Sequence, residues 1–266
     1  MIISHLIGGL GNQMFQYAAS RALSIERDVP LYLDIQDFQS YALHNGYELE
    51  RVFNISTPLA GDTELKKVLG WRAHTPVRKK LYRPQLARFR GHHLFVDTQF
   101  SSWRQIERVP NDCYLMGHWQ TEQYYLKYQK TIRADFSFRH PPIGRNAELV
   151  AQVNNSMAVS LHVRRGDYVA NPTSLAFHGL CSLDYYHHAI EYIVSRVTNP
   201  MFYVFSDDIG WVRDNLKIDH PCHYVDHNGG KESYNDMRLM SLCRHHIIAN
   251  SSFSWWGAWL NSRADK

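Results

Sequence analysis

The chain has 266 residues, a formal net charge of +4 and 44% hydrophobic residues, with 16 tyrosines and 7 tryptophans. That is enough apolar chain for one large domain or two lobes with cores of their own, and it excludes a disordered or fibrous protein. Four cysteines, Cys113, Cys181, Cys222 and Cys243, stand far apart without a C-x-x-C pair. They argue for free thiols in a reducing compartment and against a disulfide framework.

The opening MIISHLIG lacks the basic start and the cleavage site of a signal peptide and reads as a first strand. No apolar run reaches the length of a membrane span, so the expectation is a cytoplasmic protein. After a glycine turn a helix is expected from about Asn12 to Arg27, with Met14, Ala18, Ala22 and Ile25 as its apolar stripe. PLYLDI follows as a second strand and completes a β-α-β opening. The turn itself, Gly8-Gly9-Leu10-Gly11-Asn12-Gln13, resembles a dinucleotide fingerprint, and Asp34 stands further on at a strand end. Met14 occupies the place where that fingerprint needs a small residue, which makes the match weak. The same loop, with its backbone amides and the Asn12 and Gln13 side chains, suits a sugar or phosphate edge equally well.

Residues 37–150 divide less cleanly and read as a mixed lobe of short aromatic segments. Within them, residues 65–96 carry no Asp or Glu, yet hold Lys66, Lys67, Arg72, Arg78, Lys79, Lys80, Arg83, Arg88 and Arg90. Two readings stand: a solvated basic face, or attraction to anionic lipid head groups or a phosphorylated carrier. The second would place the protein peripherally on an anionic membrane. Nucleic acid is not expected as a partner, because no recognisable nucleic-acid module surrounds the patch.

RHPPIGRNA, residues 139–147, reads as a linker between lobes 1–145 and 146–266. Beyond it strands and helices alternate: MAVSLHV, LDYYHHAIEYIVSRV, MFYVFS, IGWVRDNL, CHYV, ESYNDMRLMSLC, HHIIAN and SFSWWGAWL. Ser233 with Asp236 three residues on marks the start of the ESYNDMRLMSLC helix. The expected class is α/β, a parallel sheet with helices on both faces and ligands outside the carboxyl ends of its strands.

The polar clusters fall at those ends. In SLHVRRGDYV, alternation places His162 and Arg164 on one face and Arg165 on the other, before Gly166 breaks the strand. An arginine fork matches phosphate oxygens. The plain alternative is an ion pair of Arg164 or Arg165 with Asp167. Two arginines and one acid leave a cation locally unmatched, which a nucleotide diphosphate would answer. Ser206-Asp207-Asp208 offers one helix cap and one acceptor for a ribose or guanine edge. Asn250-Ser251-Ser252-Phe253-Ser254 offers hydroxyls and free amides at a helix start, serving as a cap, an anion site or both. The histidine pairs His92-His93, His187-His188 and His245-His246 lack zinc-site spacing, so no metal site is expected. No G-x-S-x-G elbow is present.

Taken together, GGLGNQMFQYA at 8–18, HVRRGDY at 162–168, FSDD at 205–208 and ANSSFSWWGAWL at 249–260 resemble the bacterial α-1,2-fucosyltransferases. HVRRGDY is similar to the H-x-R-R-x-D motif shared with α-1,6- and protein O-fucosyltransferases. The resemblance implies a GT-B fold: two Rossmann-like lobes with the donor site in the cleft, 1–145 on the acceptor side and 146–266 binding the GDP-sugar. It implies inverting transfer from GDP-fucose to the 2-hydroxyl of a terminal β-galactose, without metal or other cofactor. By position, Arg164 would contact the β-phosphate with His162 nearby. Asn250, Ser251, Ser252 and Phe253 would line the diphosphate, Arg165 would assist, and Asp207 or Asp208 would face the guanosine. Gly11, Asn12 and Gln13 would approach the donor from the glycine loop. The base stays open between Asp167, His162 and late proton loss without one. Rival readings are another GDP-sugar-dependent glycosyltransferase, a non-enzymatic glycan-binding module and a nucleotide-dependent oxidoreductase.

Overall fold

The computed structural model describes residues 1–41, 43–97, 103–166 and 179–266. Two compact units divide at the proline-rich stretch, Met1–Arg139 and His140–Lys266.

The first unit is built on a four-stranded parallel sheet in the order β2-β1-β4-β3, from β1 (Ile2–His5), β2 (Leu31–Asp34), β3 (Leu94–Val96) and β4 (Cys113–Met116). Its long helix α1 (Leu10–Arg27) starts two residues earlier than the sequence suggests. Met14, Ala18 and Ala22 are buried, as their spacing requires, while Ile25 lies at the margin. Short helices α2 (Leu49–Val52), α3 (Asp62–Leu69), α4 (Thr75–Leu81) and α5 (Gln129–Asp135) complete the unit. α3 and α4 press Leu65, Val68, Leu69 and Leu81 against Ile3, Leu94, Val96 and Tyr114 of the sheet.

The basic stretch does not form one solvated face. Arg78 is 1% exposed; it pairs with Asp34 at 3.0 Å, donates to the Ala73 carbonyl and covers the Tyr114 ring. Arg90 donates to the carbonyls of Leu81, Tyr82 and Arg83. Lys66, Lys67, Lys80, Arg83 and Arg88 remain exposed. Spacing could not separate these roles, because a guanidinium reaching inward needs a carboxylate that only the folded sheet brings to it.

The second unit repeats the plan. Its parallel sheet runs β7-β6-β5-β8, from β5 (Met157–Val163), β6 (Pro200–Ser206), β7 (Cys222–Val225) and β8 (His245–Ile247). The helices are α6 (Gly144–Asn154), α7 (Leu183–Val194), α8 (Ile209–Asn215), α9 (Tyr234–Leu242) and α10 (Ser252–Leu260). Two core clusters form around the sheet. Val159, Leu161 and Val163 face Tyr186 and Ile190 of α7, and Ala158, Tyr203 and Phe205 face Leu149 of α6 and Leu239 and Met240 of α9. Neighbouring strand residues therefore face opposite layers. α10 lies close enough to α9 that a Cβ on Gly257 would stand 2.9 Å from the Met240 Cβ.

Ser233 does not cap α9: its side chain makes no capping bond, and a 3₁₀ turn, Gly230–Glu232, precedes the helix instead. Asp236, the expected partner of that cap, accepts from the Asn228 side chain at 2.8 Å. Each sheet has a point where strand order reverses direction along the chain. In the first it lies between β1 and β4, and in the second between β5 and β8. These switch points are where open α/β sheets leave a crevice at their carboxyl ends.

Candidate functional site

In the second unit β5 and β6 run parallel with Val163 beside Ser206, which brings Arg164 alongside Asp207. Arg164 Nη1 pairs with Asp207 Oδ2 at 3.0 Å, and the Arg165 backbone N–H donates to Asp207 Oδ1 at 2.9 Å. Asp208 caps α8 by accepting from the Trp211 N–H at 3.2 Å, and it lies 3.7 Å from Arg165 Nε, beyond hydrogen-bond length. The Arg165 guanidinium stacks on the Trp211 ring at 3.4 Å. The charge count made along the sequence is corrected here. Among the described residues Arg164 is paired with Asp207, and Arg165 stands within ion-pair range of Asp208 without a hydrogen bond to it, both acids following the end of β6 and not belonging to the motif itself. Asp167, the acid that count relied on and a candidate base, lies outside the described residues.

Gly166 is required by this arrangement. A Cβ there would stand 2.9 Å from the Asp207 Cγ, so the carboxylate that orients Arg164 sits where only glycine allows it. Of the two aspartates read as one helix cap and one nucleotide acceptor, Asp208 is the cap of α8, and Asp207 is paired with Arg164.

His162 is 4% exposed, its Nδ1 is buried without a hydrogen-bond partner, and its ring lies 6.1 Å from that of Phe253. Burial first, and the Arg164 charge second, push its pKa down to about 3. The imidazole is therefore neutral throughout the physiological range and a weak base there. Across the switch point, Ser251 caps α10, its hydroxyl accepting from the Phe253 N–H at 3.3 Å. The Ser254 hydroxyl donates to the Ser251 carbonyl, and Ser252 opens the helix. Asn250 is exposed just before it. Arg164, His162 and the start of α10 thus occupy the carboxyl ends of two neighbouring strands. A fixed guanidinium beside a helix N-terminus is an arrangement that holds an oxyanion.

The glycine loop in the first unit has a different character. Gly9 precedes α1, and Gly8 takes φ +87°, a left-handed conformation that favours glycine. Gly11 is buried in the first turn. Gln13, grouped by sequence with the donor contacts, is fully buried. Its amide donates to the carbonyls of Gly8 and Gly46 and accepts from the Glu48 N–H, so it holds the loop together from inside. Asn12 stays partly exposed and accepts from Gln120 at 2.9 Å. Asp34, which a dinucleotide site would need for a ribose, is 0% exposed and bonded to Arg78, Tyr114 and the Gln36 N–H.

Two features had no sequence signal strong enough to find them: the Trp211 platform under Arg165, and a His5–Asp37 pair at 3.0 Å in the first unit. Each joins residues from separate elements. The one available hint was that His5 ends a strand. Among the described residues no group of three or more His, Cys, Asp or Glu side chains is placed to hold a metal. No described helix is long and apolar enough to cross a membrane.

Comparison with known proteins agrees with the resemblance read from the motifs. The profile of glycosyl transferase family 11 matches residues 97–265. An α-1,2-colitosyltransferase of Escherichia coli is 37% identical over 98% of this chain and 88% of its own length. The O-antigen biosynthesis glycosyltransferase WbnK, also from Escherichia coli, is 33% identical over 99% of this chain and 91% of its own. A galactoside α-(1,2)-fucosyltransferase 2 of Hylobates lar is 25% identical over 96% and 67%. Among solved structures, NodZ α-1,6-fucosyltransferase soaked with GDP-fucose superposes with a TM-score of 0.59 at 13% identity, covering 97% of this chain and 91% of that one. The last match bears on fold alone. The chain belongs to glycosyl transferase family 11 and is a glycosyltransferase of the fucosyltransferase type.

Proposed function

We propose that the protein transfers L-fucose from GDP-fucose, with inversion and without a metal, to the 2-hydroxyl of a terminal β-galactose on a surface glycan. The observation that carries this reading is Arg164, fixed by Asp207 at the end of β5 and flanked by the serine-capped start of α10. As the bond from the anomeric carbon to the β-phosphate lengthens, its electron pair moves onto the diphosphate. Preorganised donors aimed at that charge lower the barrier, because they need no reorganisation as it develops. The GT-B description, with the second unit holding the nucleotide sugar, belongs to the same reading, as does the galactoside acceptor suggested by the relative from Hylobates lar.

A second reading has an observation of its own. The α-1,2-colitosyltransferase relative is 37% identical across nearly the whole chain, so the sugar moved could be the 3-deoxy counterpart of fucose. A pocket that hydrogen-bonds the 3-hydroxyl rejects the deoxy donor strongly, whereas a merely roomy pocket does not. Both donors are therefore incubated with lactose and with a galactose-β-1,3-linked disaccharide, and the products are read by mass and linkage analysis. An α-1,2-linked fucoside is the expected product. Transfer of colitose alone would favour the second reading, and no transfer to any galactoside would reject the acceptor assignment.

A further inference from the structure

The acid-free stretch of the first unit carries more than charge. Its helices α3 and α4 bury Leu65, Val68, Leu69 and Leu81 against the sheet, and two 3₁₀ turns, Gly70–Ala73 and Pro84–Phe89, follow them. Outside this buried layer Lys66, Lys67, Lys80, Arg83 and Arg88 are exposed. So are two large rings, Trp71 at 61% and Phe89 at 42%. A solvated basic face gains nothing from exposed rings, because each leaves apolar area in water.

The two rings belong to one surface. Arg72 Nε donates to the Phe89 carbonyl at 2.6 Å while its guanidinium lies 4.7 Å from the Trp71 ring centre, so the first turn is bonded to the second. The Arg88 guanidinium covers the Phe89 ring at 4.7 Å. Arg90 ties the second turn to the end of α4 through the carbonyls of Leu81, Tyr82 and Arg83. Acids at the margin are engaged: Glu64 accepts from the Gly61 N–H, and Asp112 pairs with the amino terminus of the chain. Each exposed ring therefore stands beside a cation, on a surface with surplus positive charge. Rings at head-group depth, with cations reaching phosphates, are what seats a protein on a bilayer interface.

We propose that this surface docks the first unit on an anionic lipid bilayer, with Trp71 and Phe89 entering the head-group layer and Lys66, Lys67, Arg83 and Arg88 against lipid phosphates. The inference goes beyond the proposed transfer reaction and holds whichever sugar is moved. Single-stranded nucleic acid also uses cations and rings, but its bases stack on open ring faces. Here a guanidinium already lies over one face of each ring, and an indole needs only apolar depth and nearby cations to anchor at an interface. Trp71, Phe89, Arg83 and Arg88 are all exposed, so their replacement makes little demand on the fold.

Flotation of the full chain is measured at about 0.15 M salt with vesicles of phosphatidylcholine alone and of phosphatidylcholine with about one third phosphatidylglycerol. The wild type should float with the anionic vesicles and stay behind with the neutral ones. Arg83→Gln with Arg88→Gln should lower the partition coefficient by about fivefold per charge, and Trp71→Ala with Phe89→Ala by about tenfold. The thermal midpoint and the GDP-dependent thermal shift of each double variant should match those of the wild type. Equal flotation with neutral vesicles, or wild-type flotation by both double variants, overturns the proposal. So does a wild type that floats with neither vesicle; if it is then retained on immobilised polyuridylate at the same salt, the surface is one for nucleic acid. A wild type that floats with the anionic vesicles but makes no fucoside rejects the proposed function and leaves the docking surface standing.

Discussion

Arg164 is held rather than merely placed. Asp207 takes Nη1 and the Arg165 amide, and the absence of a side chain at Gly166 lets the carboxylate approach. A guanidinium with its plane set in this way can meet two phosphate oxygens at once, which an ammonium cannot. Arg164→Ala should lower kcat about a hundredfold to a thousandfold, the usual loss on removing one preorganised donor, with the far-ultraviolet circular dichroism unchanged. Arg164→Lys should recover only part of that loss. A folded alanine variant of near-normal kcat would dismiss the assignment. His162 plays a different part. Neutral and buried beside Arg164, it adds no charge to the site and fills the wall that Phe253 shares.

At the scale of elements, the start of α9 carries the clearest pH signature. Asp236 lies among Asn228, Asn146 and His227, which hydrogen-bond one another. Burial raises its carboxyl from an ordinary 3.8 to about 7. Between those values the folded chain holds a proton that the unfolded chain has released. The group's contribution to stability is therefore complete below about pH 4 and is lost as pH rises towards 7. Asp236→Asn keeps the shape and removes the titration. The urea midpoint of the variant relative to wild type should rise steadily from pH 4 to about pH 7.5, and a difference independent of pH would refute the shift. The expected Ser233 cap is absent, and Asp236, in the first turn of α9, accepts from the Asn228 amide.

For the whole molecule, charge stabilisation by protein donors alone makes a distinct statement about catalysis. If Arg164 and the α10 start offset the leaving charge, turnover should survive a chelator and gain less than about twofold from added magnesium or manganese. Activity abolished by chelation and restored by either ion would mean that a cation supplies that role. The two units each present an organised carboxyl edge, one with a guanidinium and a serine-capped helix, the other with the His5–Asp37 pair.

The alternation of strands and helices, the long α1 and the position of each polar cluster at a strand end were legible in the chain, because hydrophobic period and turn residues act over a few neighbouring positions. The partners of those clusters were not. Asp207 meets Arg164 because β5 and β6 align Val163 with Ser206, a register imposed by burying both faces of the sheet. Asp34 meets Arg78, and His5 meets Asp37, through the same kind of closure. Spacing along the chain therefore assigned Gln13 to a ligand and Arg78 to a basic surface. Packing drew both inside, since a buried loop amide and a buried carboxylate each needed a partner that only the tertiary fold could bring within reach.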